Sequence, residues 1–197
     1  KRYFRHVCHP FKCSPQQVTS THIEGDNNVG GVAELNGKLY IACERSNTIQ
    51  VMESRTPFSR LESIEVMELK NASDIVVSSK TSELYIADWG QCAIWRVNLS
   101  TNKQVDKFVT IPLKPMSLSV NCNRLLITPC DGDSLFLYGD DGSQLNHIQL
   151  PRYMLATHAV ETARNTYIVS HHNRVIGDTS PHSYSVTEVD VNGRVIH

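Results

Sequence analysis

The tetrapeptide "LYIA" at residues 39–42 returns unchanged at 84–87, and near-copies stand at 125–128 ("LLIT") and 166–169 ("TYIV"). The starting positions 39, 84, 125 and 166 are 45, 41 and 41 residues apart. A chain that repeats itself at such an interval is built of like units stacked on one another, because one unit alone cannot bury its apolar face. Each copy is followed by a polar turn ("CERSN", "DWGQC", "PCDGD" and the long "SHHNRVIGDTSPHSY") and then by a second apolar run, "TIQVM", "AIWRV", "SLFLY" or "SVTEV". Short apolar runs joined by turn residues read as antiparallel hairpins.

Two further strands complete each period. Ahead of the "LYIA" strand lies a run rich in small residues: "VGGVAEL", "SDIVVSS", "MSLSVN" and "THAVET". Behind the third strand come "LESIEVM", "VDKFVTI", "LNHIQL" and "RVIH". No window sustains apolar residues at i, i+3, i+4 and i+7 for three turns, so helix is not expected. Four antiparallel strands per 41–45 residues match the blade of a β-propeller. The expected fold is therefore all-β, with four-stranded antiparallel blades over 29–68, 73–111, 116–150 and, incomplete, 157–197. Residues 16–24 read as a closing strand, and 1–15 as a poorly structured or disulfide-linked leader containing Cys8 and Cys13.

The run "LYIADWGQCAIWRV" resembles the NHL repeat, whose pattern places an aliphatic-aromatic-aliphatic-small-Asp strand before a short turn and a strand ending in Val. "DWG" followed by "IWRVNL" is also similar to the YWTD repeat of lipoprotein-receptor ectodomains. The resemblance spans about residues 29–197, but only the second period carries the strand-end Asp, Asp88; Cys43, Pro129 and Ser170 stand there in the others. It implies a six-bladed ring, of which the chain would hold about four blades. A four-bladed ring closed by residues 16–24 is the alternative. Asp88 itself reads as a turn residue accepting local backbone N–H groups, not as a catalytic acid.

Nineteen basic and twenty acidic side chains leave a net charge of -1, so no global field steers the chain toward nucleic acid or an anionic membrane. No apolar run approaches the ~20 residues of a membrane helix. Nucleophile elbows, phosphate loops and zinc-protease or paired-Cys spacings are missing from the sequence; no catalytic residue and no metal ligand is assigned. What remains is a binding role. In a propeller the second-to-third-strand turns and the blade-to-blade crossings share one rim. Here that rim is expected to present Arg45, Trp89, Lys114, Arg152, Tyr153, His171 and His172 to a protein or peptide partner, with Glu44, Lys70 and Asp133 beside them. Arg, Tyr and Trp are the side chains most enriched at interface hot spots, and the longest turn falls on the same side.

Two alternatives stay open. NHL propellers linked to tripartite-motif proteins bind RNA, for which the rim cations and aromatics would serve, although the neutral charge disfavours it. Propeller lactonases or esterases hold calcium over the central channel; here Asp74 is the one acidic side chain well placed, with Ser117 and His158 in the equivalent positions. The sequons at Asn71 and Asn98 are candidate glycosylation sites and favour an extracellular over a cytoplasmic setting.

Overall fold

The computed structural model describes residues 28–130, 132–173 and 184–196. The expected leader, the closing strand at 16–24 and residues 174–183 lie outside the described residues. Fifteen strands form four antiparallel sheets, and no helix occurs among the described residues. Blade 1 holds β1 (Val29–Leu35), β2 (Lys38–Cys43), β3 (Thr48–Glu53) and β4 (Arg60–Glu65). Blade 2 holds β5 (Ala72–Ser78), β6 (Glu83–Asp88), β7 (Ala93–Asn98) and β8 (Gln104–Thr110). Blade 3 holds β9 (Pro115–Asn121), β10 (Arg124–Pro129), β11 (Ser134–Gly139) and β12 (Gln144–Gln149). Blade 4 shows β13 (Met154–Glu161), β14 (Tyr167–Asn173) and β15 (Tyr184–Val189), with an isolated antiparallel bridge from Val189 to Val195 where an outer strand begins. Within each sheet the strands lie in chain order, and β1, β5, β9 and β13 pack against one another in succession as the innermost strands.

Most of the core sits between the blades; one smaller cluster, Ile41, Cys43 and Met52 with Leu39 and Phe58, belongs to blade 1 alone. Strand β6 shows why its central run, Leu84 to Ala87, carries no charged residue. Leu84 and Ile86 point toward blade 1, packing with Ile49, Val51 and Ile64. Tyr85 and Ala87 point the other way, packing with Leu118, Leu125 and Ile127 of blade 3. Successive strand residues face opposite sides, so a strand covered on both sides has no polar face to show. A third seam joins blades 3 and 4 through Leu126, Leu137, Met154, Tyr167 and Val169.

All four innermost strands carry a β-bulge at the same place, with Gly30, Ser73, Met116 and Thr157 as the extra residues. A bulge adds twist and re-aims the side chain that follows it. Those following residues are Gly31, Asp74, Ser117 and His158. Gly30 and Gly31 are small because blade 2 comes very close. A Cβ on Gly30 would lie 2.4 Å from the Ala72 carbonyl oxygen, and one on Gly31 would lie 2.8 Å from both Asp74 Oδ1 and the Ile75 nitrogen.

One expectation needs correcting. The "TYIV" match puts Ile168 in the place of Ile41, Ile86 and Ile127, all of them buried, the last two between blades. In the structure Val169 fills that place, paired with Ala159 as Ile86 is with Ile75. Val169 is fully buried, whereas Ile168 is 40% exposed. The β13–β14 hairpin turns through five residues, 162–166, where the β9–β10 hairpin uses two. A one-residue offset in a strand sends every side chain to the opposite face. Val160, Ile168, Tyr184 and Val186 consequently share the side of blade 4 that faces away from blade 3, all of them exposed.

Candidate functional site

The rim is a continuous arc across blades 1 to 3, because in each of them the second-to-third-strand turn is hydrogen-bonded to the residues just ahead of the innermost strand. The Trp89 N–H donates to the Asn71 carbonyl at 2.9 Å, and the Cys130 N–H donates to the Lys114 carbonyl at 2.8 Å. Glu44 N–H donates likewise to the Asn28 carbonyl at 2.8 Å. Ala156 N–H reaches the Gly132 carbonyl at 3.2 Å, and Leu150 N–H the Asp133 carbonyl at 2.7 Å, which binds the crossing into blade 4 to the turn of blade 3. Arg45, in a left-handed backbone conformation (φ 57°), donates its N–H to Asn71 Oδ1 at 3.3 Å.

Asp88 is the fixed point of this arc. Its fully buried carboxylate accepts the N–H groups of Lys70 (3.0 Å), Asn71 (3.1 Å) and Gly90 (2.9 Å). It also accepts the indole N–H of Trp95, at 3.1 Å. These four donors occupy both oxygens and hold the crossing 70–71 against the turn 88–90. Trp89 projects from that turn 40% exposed, with Lys114 Nζ 4.9 Å from its ring centroid. Tyr153 is 51% exposed, and Arg45, Lys70, Lys114 and Arg152 are exposed as well.

The two histidines are less accessible than these side chains. His171 is 2% exposed and occupies the strand-end position that Asp88 holds in blade 2. Its Nε2 is 2.9 Å from Thr187 Oγ1, and Thr187 pairs with Val169 as Trp95 pairs with Ile86. Loss of water holds the His171 imidazole below the usual histidine range. His172 is half-buried on the outward side of blade 4, its ring 6.1 Å from that of Tyr184. Arg45, Trp89, Lys114, Arg152 and Tyr153 are thus exposed on the turns and crossings of the rim, whereas His171 is buried at the rim end of its strand and His172 faces outward from blade 4.

A second polar group spans three blades at the innermost strands. Asp74 Oδ2 accepts the Ser117 hydroxyl at 3.1 Å and the Leu118 N–H at 2.8 Å, while Oδ1 accepts the Ile75 N–H at 2.8 Å. Ser117 Oγ also contacts His158 Nδ1. Loss of water raises the Asp74 carboxyl above the usual aspartate range, against the opposing pull of these donors. The serine stands between acid and imidazole, so the hydroxyl proton is engaged by the carboxylate. A nucleophilic serine needs the imidazole to take that proton instead. Nor do the residues fit calcium, which takes 6–8 oxygen ligands: the Asp74 oxygens face N–H and O–H donors. Among the described residues no group of three or more His, Cys, Asp or Glu side chains could hold a metal ion.

The sequon asparagines are both half-buried. Asn71 Oδ1 accepts the Arg45 N–H, and Asn98 Oδ1 accepts the N–H groups of Ser100 and Thr101 at 2.9 and 3.0 Å. The four described cysteines, Cys43, Cys92, Cys122 and Cys130, are free thiols. No helix among the described residues is long and apolar enough to cross a membrane.

This architecture is a β-propeller. No protein-family model and no curated protein sequence matches the chain. Solved structures similar to it include hydrazine synthase from Kuenenia stuttgartiensis, with a TM-score of 0.69 and 12% identity over 92% of this chain and 51% of that one. The WD40 β-propeller domain of Doa1 is similar with a TM-score of 0.64 and 14% identity, over 88% of this chain and 55% of that one. The computationally designed Ika8 protein gives 0.62 and 11% identity over 86% and 48%. The chain therefore spans about half the length of the solved structures it matches, and the likeness is one of fold.

Proposed function

We propose that this propeller is a non-catalytic binding module that presents the rim around Arg45, Trp89, Lys114, Arg152 and Tyr153 to a protein or peptide partner. One observation carries the reading: Trp89 is a half-exposed indole on a turn pinned by the buried Asp88 carboxylate. An aromatic side chain whose backbone is already fixed loses little freedom on binding, which is what an interface anchor requires. Lys114 over its ring and Tyr153 on the next crossing extend the same surface.

The test is affinity measurement on a purified binding partner. Trp89→Ala and Arg152→Ala should each weaken binding by more than about 1 kcal/mol without shifting the unfolding midpoint. Lys80→Ala, at an exposed turn on the opposite side, should leave affinity unchanged. Equal effects from all three substitutions would remove the rim from consideration.

A further inference from the structure

The three blade-to-blade crossings each carry a cation just ahead of the innermost strand: Lys70 before β5, Lys114 before β9 and Arg152 before β13. All three are exposed, and none forms an ion pair among the described residues. Carboxylates stand on the same rim, half-buried Asp133 among them, but none of them pairs with these three cations. Asp88 is buried and saturated, Glu68 lies 3.7 Å from Lys107 Nζ, and Glu44 accepts the Asn28 amide at 3.1 Å. The crossings thus offer a row of three exposed cations, one per crossing, that no described carboxylate pairs. Between the cations stand apolar side chains that the fold leaves uncovered: Trp89 at 40%, Leu113 at 39% and Met116 at 45% exposure.

From this pattern we infer that the rim takes an acidic, extended peptide segment with aliphatic or aromatic residues between its carboxylates. This rests on the binding role proposed above and names the chemistry of the partner. Facing sheets pack ~10 Å apart, so cations on successive crossings match acidic residues about three positions apart on an extended chain that rises ~3.3 Å per residue. The intervening apolar residues of such a segment then meet Trp89, Leu113 and Met116. A single-stranded nucleic acid would use the same cations and could stack on Trp89, but Leu113 and Met116 offer it neither a stacking plane nor a hydrogen bond.

Three fluorescein-labelled probes test this against the full chain: a dodecapeptide with Glu at every third position and Leu between, its Lys-for-Glu counterpart, and a uridine dodecanucleotide. The Glu peptide should bind, with affinity falling as salt rises, and the Lys peptide should not. The double variant Lys114→Glu with Arg152→Glu should lose the Glu peptide by more than about tenfold and gain the Lys peptide. Both positions are exposed, and an unchanged unfolding midpoint shows that the variant is folded. Equal binding of the two peptides, indifference to the charge reversal, a Glu-peptide Kd weaker than about 1 mM, or tighter binding of the uridine probe would overturn the inference. If a purified protein partner still depends on Trp89 after such a result, the rim reading stands and only the acidic class falls. If no partner or probe depends on Trp89, both fall.

Discussion

The Asp88 carboxylate accepts the Trp95 indole N–H at 3.1 Å while the same group receives three backbone N–H donors from residues 70, 71 and 90. One buried side chain thereby ties the second strand of blade 2 to its third strand and to the crossing from blade 1. Asp88→Ala would strand four donors without a partner. A buried donor left unpaired costs about 1–3 kcal/mol, so the loss should be at least about 3 kcal/mol in equilibrium denaturation. A loss under about 1 kcal/mol would mean that the four donors find other acceptors. Because Trp89 rides on this turn, the variant should also lose partner affinity.

Burial in the second strands gives a sharper test of register. Ile86→Ala and Ile127→Ala remove fully buried side chains from two seams and should each cost about 2–5 kcal/mol. Ile168→Ala, on the exposed side of blade 4, should cost about 0.5 kcal/mol or less. Comparable losses at all three positions would show that a further layer covers blade 4.

Asp74 sets a pH dependence with a definite sign. Its carboxyl titrates above the usual range in the folded protein, so between the ordinary value of ~4 and the folded value the native state holds a proton that the unfolded chain has released. Stability must therefore fall as pH rises through that window. Asp74→Asn removes the titration and adds a constant offset, since one oxygen cannot replace two. Wild type should lose stability relative to this variant as pH rises above about 4. A difference that is flat, or of opposite slope, would show that the carboxyl is not raised.

Val160, Ile168, Tyr184 and Val186 expose apolar surface on one side of blade 4 at 37%, 40%, 75% and 70%. The equivalent side of blades 1 to 3 is buried against the next blade. Contiguous apolar surface of this kind promotes association. The protein should bind an environment-sensitive apolar dye and associate as its concentration rises, and Val186→Glu should reduce both. Unchanged dye binding and sedimentation in that variant would show that the side is already covered.

The blades were legible in the amino-acid order because their physics is local. Alternation has a period of two, hairpin turns have their own residues, and a strand buried on both sides must be apolar throughout, as "LYIA" is. The structural role of Asp88 was legible for the same reason, since three of its donors lie at the two ends of one hairpin and its adjoining crossing. What sequence could not supply was the count of residues in a turn. The five residues at 162–166 shift blade 4 by one position, which exposes Ile168 and buries His171 where a rim histidine was expected. String similarity scores residue types, whereas the face a side chain takes depends on hairpin register. Tertiary stacking alone brings together Asp74, Ser117 and His158, which are 43 and 41 residues apart. It alone aligns Lys70, Lys114 and Arg152, because a crossing's place on the rim is decided by how one blade packs on the next.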